Sequence, residues 1–256
     1  MTGKTFDGRV ILIAGASGGL GRASALAFAK AGAQVVLHGR NEARLTALYD
    51  EIIASGGPEP AFMTLDFSTA GDREFEALAY AVNNEFKRLD GLLFCVGHLE
   101  TLSPLEQQTS AQFERTLKIN LQSAFGLIRA CLPLMKKSPD AAIALLSESH
   151  GHQPAAYWGA FALAKAGIEA MVRIWSEELE IYPQLRINAL IPGPVDSPLR
   201  ARTHPGELKT NLPKPADLAA EIISWLGPES RGRSGAIVEL GQPAGPVAGQ
   251  APARKR

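Results

Sequence analysis

The sequence predicts an α/β chain built on a doubly wound, all-parallel, seven-stranded sheet with helices on both faces. Short β-rich runs alternate with longer helical patterns along all 256 residues, as repeated βαβ units require. Most of the runs are continuously apolar, the pattern of strands covered on both sides. The first run leads directly into a glycine-rich turn and a helical stretch, AGASGGLGRASALAFAKAG.

Taken in order, strands are expected at 9–14 (RVILIA), 33–38 (AQVVLH), 60–65 (PAFMTL), 91–96 (GLLFCV), 141–147 (AAIALLS), 185–190 (LRINAL) and 235–240 (GAIVEL). Between them, Thr109-x-x-Gln112 forms a capping box that opens a long helical segment over 110–137. A second long helix is expected over 157–181, and Pro215-Ala-Asp suits the first turn of a helix before Leu218. The stretch 194–215 holds five prolines and no clear periodicity, so it is expected to be a substrate loop. One domain is expected over 1–240. The Gly-, Pro- and Ala-rich tail 241–256, ending in a basic cluster, is expected to be disordered.

Composition narrows the function. Lys plus Arg (26) balance Asp plus Glu (26), so no long-range field favours nucleic acid or an anionic membrane. The expected partner is a small molecule. The two cysteines, Cys95 and Cys131, lie in apolar runs that suit a core in a reducing cytoplasm rather than a disulfide framework. The opening run into the first strand shows no charged leader followed by an apolar stretch, so no processed segment is expected, and no apolar run approaches the roughly 18 residues that span a bilayer.

Gly15-x-x-x-Gly19-x-Gly21, at a strand-to-helix turn and with Ser17 and Leu20 between the glycines, lets the backbone approach a pyrophosphate at a helix N-terminus. That makes a dinucleotide the expected ligand and a Rossmann-type sheet the expected frame. After the second strand come Gly39 and Arg40, with no carboxylate before Glu42. An acidic residue there would accept from the ribose 2′-OH of NAD, whereas arginine accommodates a 2′-phosphate, so NADP(H) is favoured over NAD. Arg40 can also be read as a solvated charge opening the next helix.

On these residues the chain resembles the short-chain dehydrogenase/reductase superfamily over about residues 7–240. AGASGGLG is similar to the family's Thr-Gly-x-x-x-Gly-x-Gly, with Ala14 in place of the threonine. Leu65-Asp66 resembles the adenine-side aspartate, and Lys118-Ile-Asn120-Leu the helix asparagine. Arg186-Ile-Asn188, Pro192-Gly193 and Ser197 resemble the sixth strand and the nicotinamide-side loop, which also carries Val195. The run WGAFALAK is similar to a proteobacterial subgroup that reads Trp-Gly-Ala-Tyr-Ala-x-Ser-Lys. The resemblance implies a homodimer or homotetramer formed through the two long helices, and Ala164, Gly167 and Ala170 offer a small-residue face that suits either helix association or core packing.

The same resemblance implies a tetrad in which tyrosine is the general acid or base, lysine lowers its pKa and binds the nicotinamide ribose, serine polarises a small carbonyl or alcohol substrate, and asparagine holds a water relay. Lysine maps to Lys165 and asparagine to Asn120. Tyrosine maps to Phe161, and by spacing serine maps to Glu148, between Ser147 and Ser149. The family's Asn-Asn-Ala-Gly segment corresponds to Phe94-Cys95-Val96-Gly97. The expectation is an NADP(H)-binding protein with a broken tetrad: a weak enzyme, a sensor or a regulatory protein. The alternatives are an active oxidoreductase whose proton comes from Glu148, Tyr157 or bound water, and an interaction scaffold without cofactor. An ion pair between Glu148 and Lys165 is expected to close an unused site. Glu148, His150 and His152 read as ordinary loop residues rather than metal ligands, and Ser149-His150 lacks the elbow and ordered triad of a hydrolase.

Overall fold

The computed structural model describes residues 4–241; the part of the expected disordered tail beyond 241 lies outside that range. Seven parallel strands form one sheet in the order β3-β2-β1-β4-β5-β6-β7. They are β1 (Val10–Ala14), β2 (Gln34–Gly39), β3 (Ala61–Thr64), β4 (Gly91–Phe94), β5 (Ala141–Leu146), β6 (Leu185–Ile191) and β7 (Ile237–Glu239). All seven expected strands are present. The sheet is Rossmann-like, as read from the apolar runs.

Strand pleating sorts side chains to two cores. Along β1, Val10, Leu12 and Ala14 enter one buried layer while Ile11 and Ile13 enter the other. The first layer is covered by α3 (Asp72–Phe86), α5 (Ser123–Met135) and α7 (Gly159–Glu178). The second is covered by α1 (Gly19–Lys30), α2 (Glu42–Ala54) and α9 (Pro215–Ser224). The strand order reverses between β1 and β4, so their C-terminal ends open a crevice between outgoing connections.

The first long helix is interrupted. Its capping box forms as expected, with Thr109 N donating to Gln112 Oε1 (3.0 Å) and Gln112 N to Thr109 Oγ1 (3.3 Å). However, α4 (Ser110–Leu117) gives way to a π turn over Lys118–Gln122 before α5 begins. The π turn carries Asn120, and such widened turns recur at functional sites.

Two further expectations need correction. The stretch 194–215 contains a short helix, α8 (Pro198–Thr203), started by Ser197 Oγ accepting from Arg200 N (3.1 Å) with Pro198 in the first turn. One turn and a half is too short to show periodicity. The second long helix begins at Gly159 rather than 157, because Tyr157 holds a left-handed backbone (φ 74°) that a helix excludes. On α7 the small-residue face divides: Ala164 is in the core, whereas Gly167 and Ala170 border an outer apolar groove with Leu121, Phe125 and Ile174.

At the N-terminal ends of the strands a polar network ties the sheet together. The Asp140 carboxylate receives Arg186 (2.5 Å), Arg231 (2.8 Å) and Arg9 (3.2 Å). Asp90 accepts from Val10 N (2.8 Å) and Ser138 Oγ (2.6 Å) and pairs with Arg88.

Candidate active site

The turn between β1 and α1 has the shape a pyrophosphate needs. Gly15 has φ +85°, and a Cβ there would lie 3.2 Å from the Cys95 carbonyl. A Cβ on Gly21 would run into the Gly15 carbonyl. Both positions therefore accept only glycine without rearrangement. The N-cap of α1 is Gly18, which supplies no side-chain acceptor, so first-turn N–H groups and the helix dipole are left for an anion. A Cβ on Gly19 would face Pro215 Cγ at 3.2 Å and Ser197 Cβ at 4.0 Å, so α9 and the loop before α8 close over the turn. These features fit a dinucleotide.

At the other end of this groove, Ser17 Oγ lies against Gly39, and the exposed Arg40 follows. The carboxyl of Asp66 is held below its usual range first by the Ser68 N–H (2.8 Å), with the charge of Arg40 adding to it. Ser17, Arg40 and Asp66 thus gather at the β2–β3 edge.

On the far side of the switch point lies an open cleft lined in part by Leu20, Pro192, Gly193, Val195 and Ser197. Its floor is Lys165 and Phe161. Lys165 Nζ donates to the carbonyls of Leu146 (2.9 Å) and Val96 (3.1 Å) and lies 5.6 Å from the centroid of the Phe161 ring. Val96 is available because β4 ends at Phe94, two residues earlier than expected. Burial pushes the Lys165 ammonium down to about 8, against the charge of Glu148, which raises it. Phe161 is 1% exposed and packs with Leu99, Trp158 and Ala162, with Leu199 beside them. The Cys95 thiol, also on the cleft wall, is pushed up to about 12 by burial.

Glu148 lines the cleft but makes no ion pair with Lys165, contrary to expectation. It is the N-cap of the short helix α6 (Ser149–His152): its Oε2 accepts from His150 N (2.6 Å) and pairs with His150 Nδ1 (2.9 Å). The His150 ring stacks on Trp158, 3.8 Å between centroids. Local capping holds Glu148, while backbone carbonyls hold Lys165. Ser147 turns the other way, donating to the buried Glu169 (2.8 Å), whose second oxygen meets His152 Nδ1 (2.9 Å). Among the described residues, no group of three His, Cys, Asp or Glu is arranged to hold a metal ion.

Asn120 is fully buried in the π turn. Its Oδ1 accepts from His98 N (2.8 Å), and its Nδ2 donates to His98 O (2.7 Å) and Thr116 O (2.8 Å). Both amide protons are used within the fold, so any relay there runs through the main chain. Tyr157 is 58% exposed and absent from the cleft lining. The sequence reading also missed Trp158, Arg200 and Glu207. Arg200 reaches the cleft while paired bidentately with Glu207 (2.5 and 2.6 Å), and Arg202 ties α8 to the carbonyls of Leu99 and Glu100. The tryptophan beside Phe161 was legible; the arginines of a short helix were not.

Residues 9–208 match the short chain dehydrogenase family model. The uncharacterised oxidoreductase YciK of Escherichia coli is 34% identical over 227 residues, 89% of each chain. A solved short chain dehydrogenase from Salmonella enterica superposes with a TM-score of 0.91 at 32% identity, over 94% of this chain and 99% of that one. A chain from Escherichia coli solved in complex with NADPH gives a TM-score of 0.90 at 31% identity, over 94% of this chain and all (100%) of that one.

Proposed function

Because the chain belongs to the short-chain dehydrogenase family, we propose that it binds NADP(H) along the C-terminal edge of the sheet and that ordinary carbonyl or alcohol turnover in its cleft is weak or absent. When bound, this dinucleotide supplies or accepts hydride. Gly15, Gly19 and Gly21 admit its pyrophosphate, with Leu20 alongside, and Ser17 and Arg40 take the 2′-phosphate while Asp66 faces the adenine side. Pro192, Gly193, Val195, Ser197 and Lys165 border the nicotinamide end. NADPH in the E. coli relative supports the cofactor choice.

One observation carries the catalytic half. The side chain that should give a proton to a reduced carbonyl is Phe161, buried on the cleft floor over Lys165. A positioned proton donor is worth about 10² to 10⁴ in rate. Glu148, in the serine's place, opposes negative charge developing on oxygen. Such a protein acts as a slow enzyme, a dinucleotide sensor or a regulator.

The test joins binding to repair. Calorimetric titration is expected to show NADPH binding more tightly than NADH. Phe161→Tyr is expected to raise NADPH oxidation over a panel of small carbonyls by about 10² or more. A native activity that falls in Phe161→Tyr would instead favour a rearranged donor, for which Glu148, lining the cleft and hydrogen-bonded to His150 beside it, is the supporting observation. Tyr157, outside the cleft, has no such support. Failure to bind either dinucleotide would leave a scaffold acting through its surface. The groove of Leu121, Phe125, Gly167 and Ile174 supports homo-oligomer formation through α5 and α7.

A further inference from the structure

We propose that the cleft accepts a nitrogen substrate, an iminium ion and its amine counterpart, with the Glu148 carboxylate holding the cationic nitrogen. The proposal rests on the NADP(H) reading above and names the substrate class for the same site.

Charge decides between substrate classes. Reducing a carbonyl creates an oxyanion, which here would meet an apolar ring at Phe161 and a carboxylate at Glu148. Reducing an iminium ion has the opposite requirement. Its carbon takes a hydride from a reduced nicotinamide dinucleotide and a C–H bond forms. The C=N π pair becomes the nitrogen lone pair, and the dinucleotide is left oxidised. No proton moves in that step, so a hydroxyl at position 161 has nothing to do. A carboxylate nearby favours the protonated imine, which is the reactive form, over the neutral one.

The geometry leaves Glu148 available for this. Its Oε2 is taken by His150, but Oε1 has no hydrogen-bond partner among the described residues. Of the two cations lining the same cleft, Arg200 is paired with Glu207, and Lys165 donates to the carbonyls of Val96 and Leu146, so it reaches Glu148 through its charge and not through a hydrogen bond. Of the other titratable neighbours, His150 is held by its stack on Trp158, and the Cys95 thiol is pushed up to about 12 by burial. Trp158, Phe161 and Leu199 offer an apolar wall for the organic body, and the indole also attracts a cation.

Pyrrolidine, a cationic amine, and cyclopentanol, its neutral counterpart in size, are titrated calorimetrically into the protein with and without NADP⁺, and NADPH oxidation is followed with pyrroline and with cyclopentanone. Pyrrolidine is expected to bind about tenfold or more tightly than cyclopentanol, as a charge-assisted contact allows. Pyrroline is expected to be reduced and cyclopentanone not. Glu148→Gln should erase the amine preference and Glu148→Asp should keep part of it. Equal affinities, or a preference that survives Glu148→Gln, would overturn the proposal. If NADPH binds but the amine preference is absent, the substrate class falls and the cofactor reading stands. If NADPH fails to bind while a Glu148-dependent preference remains, the cofactor reading falls and the cation site stands.

Discussion

His38 lies near the end of β2 with only 2% of its surface exposed, stacked on Phe67 at 4.2 Å. Its Nε2 meets the Leu65 carbonyl at 3.1 Å, which fixes the proton on that nitrogen, and Nδ1 has no partner. A second proton would be buried at Nδ1 with no acceptor, so burial pushes the group down to about 4 from its ordinary 6.5. The unfolded chain therefore binds the proton first as pH falls. Stability from this residue is complete above about pH 6.5 and is lost progressively down to about pH 4. At pH 5 the loss amounts to about 2 kcal/mol, and its full extent to about 3 kcal/mol. His38→Phe keeps the stack and removes the titration, giving up the Leu65 hydrogen bond at a cost of about 1 kcal/mol at every pH. Urea unfolding of both proteins at pH 7.5 and pH 5 isolates the effect, because the carboxylates titrate alike in each. The variant should be the less stable protein at the higher pH and the more stable one at the lower. Parallel pH profiles would refute the argument.

Other outcomes follow from the same contacts. Gly21→Ala places a methyl group against the Gly15 carbonyl, and the distorted turn should weaken NADPH binding by about tenfold or more in a calorimetric titration. Arg40→Ala should weaken NADPH by about tenfold while leaving NADH unchanged, since only the 2′-phosphate needs the guanidinium. Asp140→Ala leaves three arginines sharing no carboxylate and should lower stability by about 3–5 kcal/mol in chemical denaturation. Asn120→Ala strips both carbonyls of their amide donor and should cost about 1–3 kcal/mol, read as a lowered Tm.

Strands were legible because burial on both faces writes a continuous apolar run that needs no partner to be recognised. The glycine turn was legible because close backbone approach leaves only one residue type. Side-chain geometry was harder. Glu148 and Lys165 carry opposite charges on one cleft, and their places in the family resemblance make an ion pair attractive. They act on each other through charge without forming an ion pair, because a capping bond to His150 and two backbone carbonyls hold the side chains more locally. The π turn at Asn120 leaves no mark in a periodicity spanning 28 residues of expected helix, since one extra residue shifts the phase only slightly. The second long helix was expected to open at Tyr157, but the positive φ there is a property of the turn before it.

The carboxylates Asp90 and Asp140 fasten β1, β4, β5 and β6 at the ends opposite the cleft, through side chains that never approach the dinucleotide groove. The scaffold's cohesion and its chemistry are thus lodged in different residues at different ends of the same strands. Changes at 148 and 161 leave that fastening untouched, so the residues lining the cleft can be exchanged while the sheet stays held together from its other end.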